Sequence, residues 1–459
     1  MKNLSRAALV FLIFLNGYVS LSLELSILRQ LSFYVGSSAV VTSIIMAIFL
    51  GFMSLGYTLG ESSRIQNKQI PQILNASFLF IALLSVVAAS FPLITQYFVL
   101  LYRGGITSGV LQTFIYSLVF LSAGPFLFGF NTTLLSRLLH LYDKNCTGNI
   151  MAWDTIGSVF GSIATTLILM PFLGVNYTVV LIAVLSVLAA LILHRALWVW
   201  PVCAVILVSS FVINSNSYQR KHLGILVNNA NSTISVTEYP DARILYMNGL
   251  PMSLMTSDNN FAPYVNYLNT NYIYTMPTDK VYKILVLGAG GFTLGLEDTR
   301  NEYTFVDIEH TLKDVSERYF LGRRLPDNKK FVVEDASQFL KNTPEQYDFI
   351  LLDVYSNSYQ VPESLITVEF MERLRSRVAP NGIIAMNMIV SPEFHDKYSR
   401  VFDNTFHSVF PYNTSRHIID AFNPWDATDG PSNVMYIYHN IENDGRVYTI
   451  NKTPVIYDR

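Results

Sequence analysis

The stretch YKILVLGAGGFTLGLEDTRNEYTFVDIE, residues 282–309, decides the fold of the C-terminal half. An apolar run from Ile284 to Leu287 reads as a strand and Gly288, Gly290 and Gly291 as a turn; 292–299 is predicted as a short helix and the next apolar run as a second strand closing on Asp307. The turn calls for glycine because backbone there must pass close to a ligand at angles that a Cβ would forbid. An acid closing the following strand is placed to accept hydrogen bonds from ribose hydroxyls. A dinucleotide fingerprint would carry a further glycine at position 293; Thr293 stands there, so the spacing favours an S-adenosyl ligand over NAD. On its own, the pattern also suits a βαβ unit that binds no nucleotide.

Downstream, the alternation continues. Helix 310–320, strand 330–333, helix 336–342, strand 347–352, helix 364–378, strand 382–388 and helix 393–408 are predicted, with strands near 414–419 and 434–439 closing the sheet. Regular β/α alternation implies a parallel, doubly wound sheet, which binds ligands at the carboxyl ends of its strands. Three acids fall at such ends: Asp307, Asp335 just past FVVE, and Asp353 closing FILLD. Upstream, STISVTEY (232–239) and ARILYMNG (242–249), joined by a turn at Pro240 and Asp241, form a small β unit before the main sheet.

The first half has a different character. The chain of 459 residues has 51% hydrophobic and only 14% charged residues, values that suit a protein partly in a membrane. Mean hydropathy is +0.34. Apolar runs of spanning length are predicted at 7–28, 37–59, 71–90, 106–130, 151–173, 175–193 and 196–214, while 91–103 is too short to cross. The first run follows Lys2 and Arg6 but has no small-residue cleavage site after it, so it reads as a retained helix rather than a signal peptide. With seven spans, Lys2, Arg6, Arg64, Lys68, Arg137, Lys144 and Arg195 share the side of the N-terminus, against Arg29 and Arg103 opposite. That bias puts the N-terminus in the cytoplasm and the C-terminal domain outside, although Arg220 and Lys221 narrow it. S-adenosyl donors are cytosolic metabolites, so the chemistry asks instead for the cytoplasmic face.

Within the spans Glu24, Arg29 and Asp154 are polar exceptions. They read as an interfacial ion pair and a helix-end carboxylate, or as a substrate or proton site in the bundle. Gly56-x-x-x-Gly60 and Gly157-x-x-x-Gly161 allow helices to approach closely. The net charge of -2 with no long basic cluster excludes a nucleic-acid partner. Cys146 and Cys203 form no disulfide framework, and the eight histidines show no HxxxH or HxH pair, so no metal is expected.

In both halves the chain resembles the spermidine synthase (polyamine aminopropyltransferase) family, in particular its membrane-fused members. The blocks that carry the resemblance include ELSILRQLSFYVGSS, FLGFMSLG and MAWDTIGSVFGS upstream, then VLGAGG, VDIE, VEDASQFL, YDFILLDVYSNSYQVPESLITVEF and APNGIIAMNM. It implies an α-helical membrane bundle of about seven spans (1–214), a linker with a small β-hairpin unit (215–281), and a nucleoside-binding transferase domain of Rossmann-like, class I methyltransferase fold (282–459). It implies that Gly288, Gly290 and Gly291 line the donor, decarboxylated S-adenosylmethionine or S-adenosylmethionine, that Asp307 holds its ribose, and that Asp335 with Ala336 meets the adenine. Asp353 matches the family's base for the attacking amine, a small amine acceptor, with Tyr264, Tyr355 and Ser356 on the substrate side.

The departures from the family pattern matter as much. Phe292 stands where the glycine loop usually has an aspartate, Ser356 replaces the second aspartate of DxxD, and Met252 replaces a glutamine. Each removes a partner for a buried ammonium. Four functions are therefore expected in turn: aminopropyl transfer to an amine, methyl transfer from S-adenosylmethionine, a catalytically degenerate scaffold in a membrane complex, and transport by the bundle. The lipid bilayer is the expected partner, with a homo-oligomer or membrane complex compatible with it.

Overall fold

The computed structural model describes residues 4–36, 39–142, 146–193, 196–197, 199–355, 361–421 and 431–443. It divides into two compact units, Met1–Thr237 with Tyr246–Pro251, and Glu238–Leu245 with Met252–Arg459.

The first unit is mostly helical. Its helices are α1 (Arg6–Val35), α2 (Ala39–Ser62), α3 (Ile70–Ala89) and α4 (Phe91–Arg103), then α5 (Gly109–Tyr116), which continues through a π-helical turn towards α6 (Ala123–Leu139) with a bend of 41°. α7 (Thr147–Ala164) runs through another π-helical turn into α8 (Met170–Leu193), and α9 (Val199–Asn214) bends by 53° into α10 (Asn216–Leu223). Gly174, at φ 82°, breaks the path inside α8 just after Pro171, a residue that offers no backbone N–H to a helix ladder. Four helical stretches are long and apolar enough to cross a bilayer, or six if each bent pair is one span, among the described residues. The count differs from seven because the predicted runs 151–173 and 175–193 form the single stretch Thr147–Leu193.

Small residues bring the helix backbones together. A Cβ at Gly157 would overlap the Phe14 carbonyl and one at Gly17 the Asp154 carbonyl, so α1 and α7 touch backbone to backbone. Gly56 meets the Phe126 carbonyl and Gly129 the Met53 carbonyl in the same way between α2 and α6. The bundle has an apolar core that includes Leu12, Ile13, Phe78 and Leu134, and alongside it buries polar side chains while leaving large apolar ones on its surface. Asn16, Glu24, Gln30, Asn75 and Asn131 are buried, while Leu50, Leu59, Phe160, Leu167 and Phe172 are exposed. Inside, Asn16 Nδ2 donates to the Phe128 carbonyl at 3.2 Å and to Thr132 Oγ1 at 3.0 Å, and Thr132 Oγ1 donates to Asp154 Oδ1 at 3.4 Å. Arg29 donates to the Asn229 and Ala230 carbonyls at 2.8 and 3.0 Å.

A four-stranded sheet follows, in the order β1 (Ile225–Asn228), β2 (Thr233–Glu238), β3 (Ala242–Met247), β4 (Leu250–Thr256). The expected turn at Pro240 and Asp241 joins β2 to β3. Asn248 and Gly249, both with positive φ (51° and 79°), make the turn into β4, a pairing suited to a tight hairpin.

The second unit continues with α11 (Pro263–Leu268), β5 (Lys283–Leu287), β6 (Glu302–Asp307), α12 (Leu312–Val315), β7 (Lys329–Val333), α13 (Ala336–Asn342) and β8 (Tyr347–Leu352). It ends with α14 (Val368–Ser376), β9 (Val378–Val390), α15 (Lys397–Val409), β10 (Thr414–Ala421) and β11 (Ser432–His439). The seven strands lie in the order β10-β11-β9-β8-β5-β6-β7. β7, β6, β5, β8 and β9 are parallel, while β11 runs antiparallel to both of its neighbours. This is a methyltransferase-like α/β fold, and its strand order reverses between β5 and β8. The strands are apolar on both faces because helices cover both, and Leu285, Leu287, Ile350, Leu352, Ile384 and Met386 lie in one core with Phe370, Leu374 and Phe406.

One local expectation fails. Residues 292–299 form successive turns instead of a helix. Phe292 and Gly295 adopt φ of 61° and 57°, outside the helical region, and the Gly295 N–H is taken at 2.8 Å by Asn269 Oδ1 from the turn after α11.

Candidate active site

Register alone lines up the carboxyl ends of three strands. Leu287 of β5 pairs with Val306 of β6 and with Leu352 of β8, so Gly288, Asp307 and Asp353 leave the sheet side by side. Gly288, at φ 91°, donates its N–H to the Val306 carbonyl at 2.9 Å, and a Cβ there would overlap the Asp353 carbonyl. Only glycine meets both demands. The Gly291 N–H donates to Ser253 Oγ at 2.7 Å, and a Cβ at Gly291 would lie 2.9 Å from Ser253 Cβ and overlap the Phe320 ring. Gly290 also has positive φ, 49°.

Asp307 is wired into this turn. Its Oδ2 accepts the Ala289 N–H and its Oδ1 the Glu309 N–H, each at 3.0 Å. Burial pushes its carboxyl above the usual range, and these two backbone bonds pull part of the way back. The Asp307 carbonyl accepts the Glu334 N–H at 3.0 Å, which carries the edge on to Asp335. Asp335 is exposed and caps α13, its Oδ1 accepting the Gln338 N–H at 3.0 Å; Ala336 beside it is buried.

Asp353 has the most demanding surroundings. Tyr264 Oη donates to its Oδ2 at 2.7 Å and Asn387 Nδ2 to its Oδ1 at 2.9 Å. Burial raises its carboxyl above the ordinary range, against the opposing pull of those two bonds. Burial, and then the Asp353 charge, hold the Tyr264 and Tyr355 phenols well above their usual value. Tyr355 Oη donates to the Asn387 carbonyl at 2.6 Å, closing a compact group.

The structure thus brings Gly288, Gly290, Gly291, Asp307, Asp335, Ala336, Asp353, Tyr264 and Tyr355 to one edge of the sheet. Ser356 lies outside the described residues. Phe292 is fully buried, with its ring 5.1 Å from that of Phe305 and 5.3 Å from that of Phe331, centroid to centroid, so it belongs to the packing of β6 and β7. Met252 is followed by Ser253, whose hydroxyl holds the glycine turn. Sequence reasoning missed Ser253 and Asn387. The pair Asn248-Gly249 would have announced β4 and so Ser253, and Asn387 is the one polar side chain in the run GIIAMNMIV. An open cleft of about 400 Å³ beside Glu238, Asp241, Arg243 and Thr256 shares none of these residues. Among the described residues no three His, Cys, Asp or Glu side chains are placed to hold a metal ion.

Residues 273–419 match the family model of the spermine/spermidine synthase domain. The polyamine aminopropyltransferase 2 of Aquifex aeolicus is 24% identical over 405 residues, 82% of this chain and 78% of that protein. The polyamine aminopropyltransferase of Sulfurisphaera tokodaii is 31% identical over 137 residues, but these cover only 28% of this chain and 45% of that protein. Among solved structures, a probable spermidine synthase from Corynebacterium glutamicum aligns at TM-score 0.39 and 18% identity, over 50% of this chain and 82% of that one. The spermidine synthase of Thermotoga maritima aligns at 0.36 and 14%, over 46% and 70%. The family model covers the strands from β5 to β9 and most of β10, and the Aquifex relative extends the similarity into the helical half, so the C-terminal half of this chain carries a spermine/spermidine synthase domain.

Proposed function

We propose that the C-terminal unit transfers an aminopropyl group from decarboxylated S-adenosylmethionine to a small amine, with Asp353 as the base. The observation that carries this reading is the Asp353 carboxylate, desolvated and held by Tyr264 and Asn387 against the glycine turn. A protonated amine has no lone pair with which to attack. Asp353 accepts one ammonium proton; the freed nitrogen pair forms the N–C bond at the methylene beside the sulfonium while the C–S bond breaks, its electron pair passing to sulfur as methylthioadenosine leaves. The upward push on the carboxyl brings its basicity nearer to working pH.

The residues also suit the nucleoside. Gly288, Gly290 and Gly291 leave room for close approach, and each Asp307 oxygen keeps a lone pair for a ribose hydroxyl. Asp335 Oδ2 and Ala336 are assigned to the adenine. Tyr264, Tyr355 and Ser356 are assigned to the amine side. The phenylalanine at 292, turned into the core, favours a second reading in which the domain binds without catalysis. Isothermal titration of the full chain with S-adenosyl compounds distinguishes them from a domain with no ligand: no binding at millimolar concentration would defeat both. Product mass, aminopropyl against methyl, then separates this transfer from methylation by S-adenosylmethionine.

The helical unit is assigned to a bilayer, which its exposed leucines and phenylalanines and its buried amides support. A straight helix of 47 residues would be about 70 Å long, more than twice the hydrocarbon thickness of about 30 Å, so the break at Gly174 is read as dividing Thr147–Leu193 into two crossings. That gives seven spans in 1–214, followed by the β unit 215–281 and the transferase domain 282–459. A reporter joined after Arg459 reads the side: activity in the cytoplasm supports the enzyme, activity on the opposite face the binding module.

A further inference from the structure

Asn387 lies in β9, only 2% exposed, and its backbone position is fixed by pairing with Met435 of β11 and by the bond from Tyr355. Its Nδ2 is committed to Asp353, but its Oδ1 is buried with no hydrogen-bond partner among the described residues. Such an oxygen is costly to leave unpaired. Among the described residues the two phenols of this group donate elsewhere, Tyr264 Oη to Asp353 and Tyr355 Oη to the Asn387 carbonyl. A donor that arrives with a ligand would meet this open acceptor next to a carboxylate. An ammonium group, with three N–H donors and a positive charge, fits both neighbours.

We propose that Asn387 Oδ1 and the Asp353 carboxylate together form a two-acceptor seat for the attacking nitrogen of the amine, the amide oxygen serving as the second acceptor in a chain that has Ser356 where its family has a carboxylate. This rests on the transferase reading above and names its specificity residue. An amide differs from a second carboxylate in a useful way. It accepts an N–H from the neutral amine as well as from the ammonium, so it holds the nitrogen after Asp353 has taken the proton, without favouring the charged form that cannot attack. The seat takes primary amines and refuses alcohols of the same shape, which have a single O–H donor and no charge.

The test uses the full chain in detergent or nanodiscs, with decarboxylated S-adenosylmethionine as donor and 1,4-diaminobutane as acceptor. Asn387→Ala is expected to raise the KM for the amine about ten-fold or more while donor affinity stays unchanged. Asn387→Asp, which keeps an oxygen at that place, is expected to recover most of the loss. In the unaltered chain, with methylthioadenosine bound, n-butylamine should bind at least about ten-fold more tightly than 1-butanol; equal binding overturns the proposal even if the alanine variant fails to fold. An unchanged amine KM, or a fall in kcat alone, would show that Asn387 only orients Asp353 and would overturn it as well. Absence of donor binding in the unaltered chain would instead bring down the transferase reading, and this proposal with it.

Discussion

Replacing Tyr264 by phenylalanine removes one hydroxyl and leaves the ring beside Asp353, the proposed base. The lost bond, 2.7 Å from Tyr264 Oη to Asp353 Oδ2, favours the ionised carboxylate over the protonated one. Bonds to charged groups are worth about 1.5–3 kcal/mol, and the lower end applies here because both side chains keep some exposure. At about 1.4 kcal/mol per pH unit, the carboxyl of the variant should titrate roughly one pH unit higher. The sign follows from the role. A base works only when deprotonated, so the limb on which rate rises with pH should move towards alkaline pH by that amount. Initial rates of methylthioadenosine release, measured from about pH 5 to 10, would show a roughly ten-fold deficit on the acid side of the limb and near-normal turnover above it. A limb that stays in place, or a deficit equal at every pH, would refute the claim that Tyr264 acts through the ionisation of Asp353.

Gly288→Ala forces a Cβ into the Asp353 carbonyl at a positive φ, and loss of S-adenosyl binding in titration is expected, with the helical unit still folded by circular dichroism. Asp335→Ala removes the cap of α13 and should lower stability by about 1 kcal/mol; if Asp335 also meets the adenine, donor affinity falls as well, whereas a stability change alone would confine it to capping. Lys329 is 4% exposed, its ammonium 4.3 Å from the Tyr303 ring centre, and burial lowers its pKa from 10.5 to about 8. Between those values the unfolded chain binds more protons, so stability should rise as pH goes from about 8 to 10.5. Lys329→Met should erase that slope and match or exceed the native melting temperature at pH 7, the gain being up to roughly 3 kcal/mol less the lost bond to the Asp298 carbonyl.

The sheet was legible in the sequence because its strands are short apolar runs closed by acids, and that arrangement follows from covering both faces with helices. Strands 283–287 and 347–352 are found at the expected residues, and the three acids reach one edge. The helix expected at 292–299 was not legible as turns, since its conformation is imposed by tertiary contacts: Asn269 takes the Gly295 N–H, and Phe292 is drawn into the sheet by Phe305 and Phe331. β1 and β4 were hidden for a different reason. They are half-buried strands without strict alternation, and the turn at Asn248-Gly249 was the signal for one of them. Asn387 escaped because a single amide in an apolar strand has no motif; its meaning appears only once β9 lies beside β8. In the helical half, the lengths of the apolar runs were readable, while the continuity across 169–175 depended on backbone angles that composition does not encode.

The order of the strands has a consequence for synthesis. β5 is made first, yet its two neighbours, β6 and β8, emerge later, and the contact between Gly288 and the Asp353 backbone joins segments far apart in the chain. A ribosome that has finished the glycine bend has therefore not yet made a pocket, and even after β6 has paired, one edge of β5 stays open until β8 arrives. Nascent chains halted in that interval should be the ones most prone to pair with each other, so the half-built transferase is the stage at which this polypeptide most needs a chaperone.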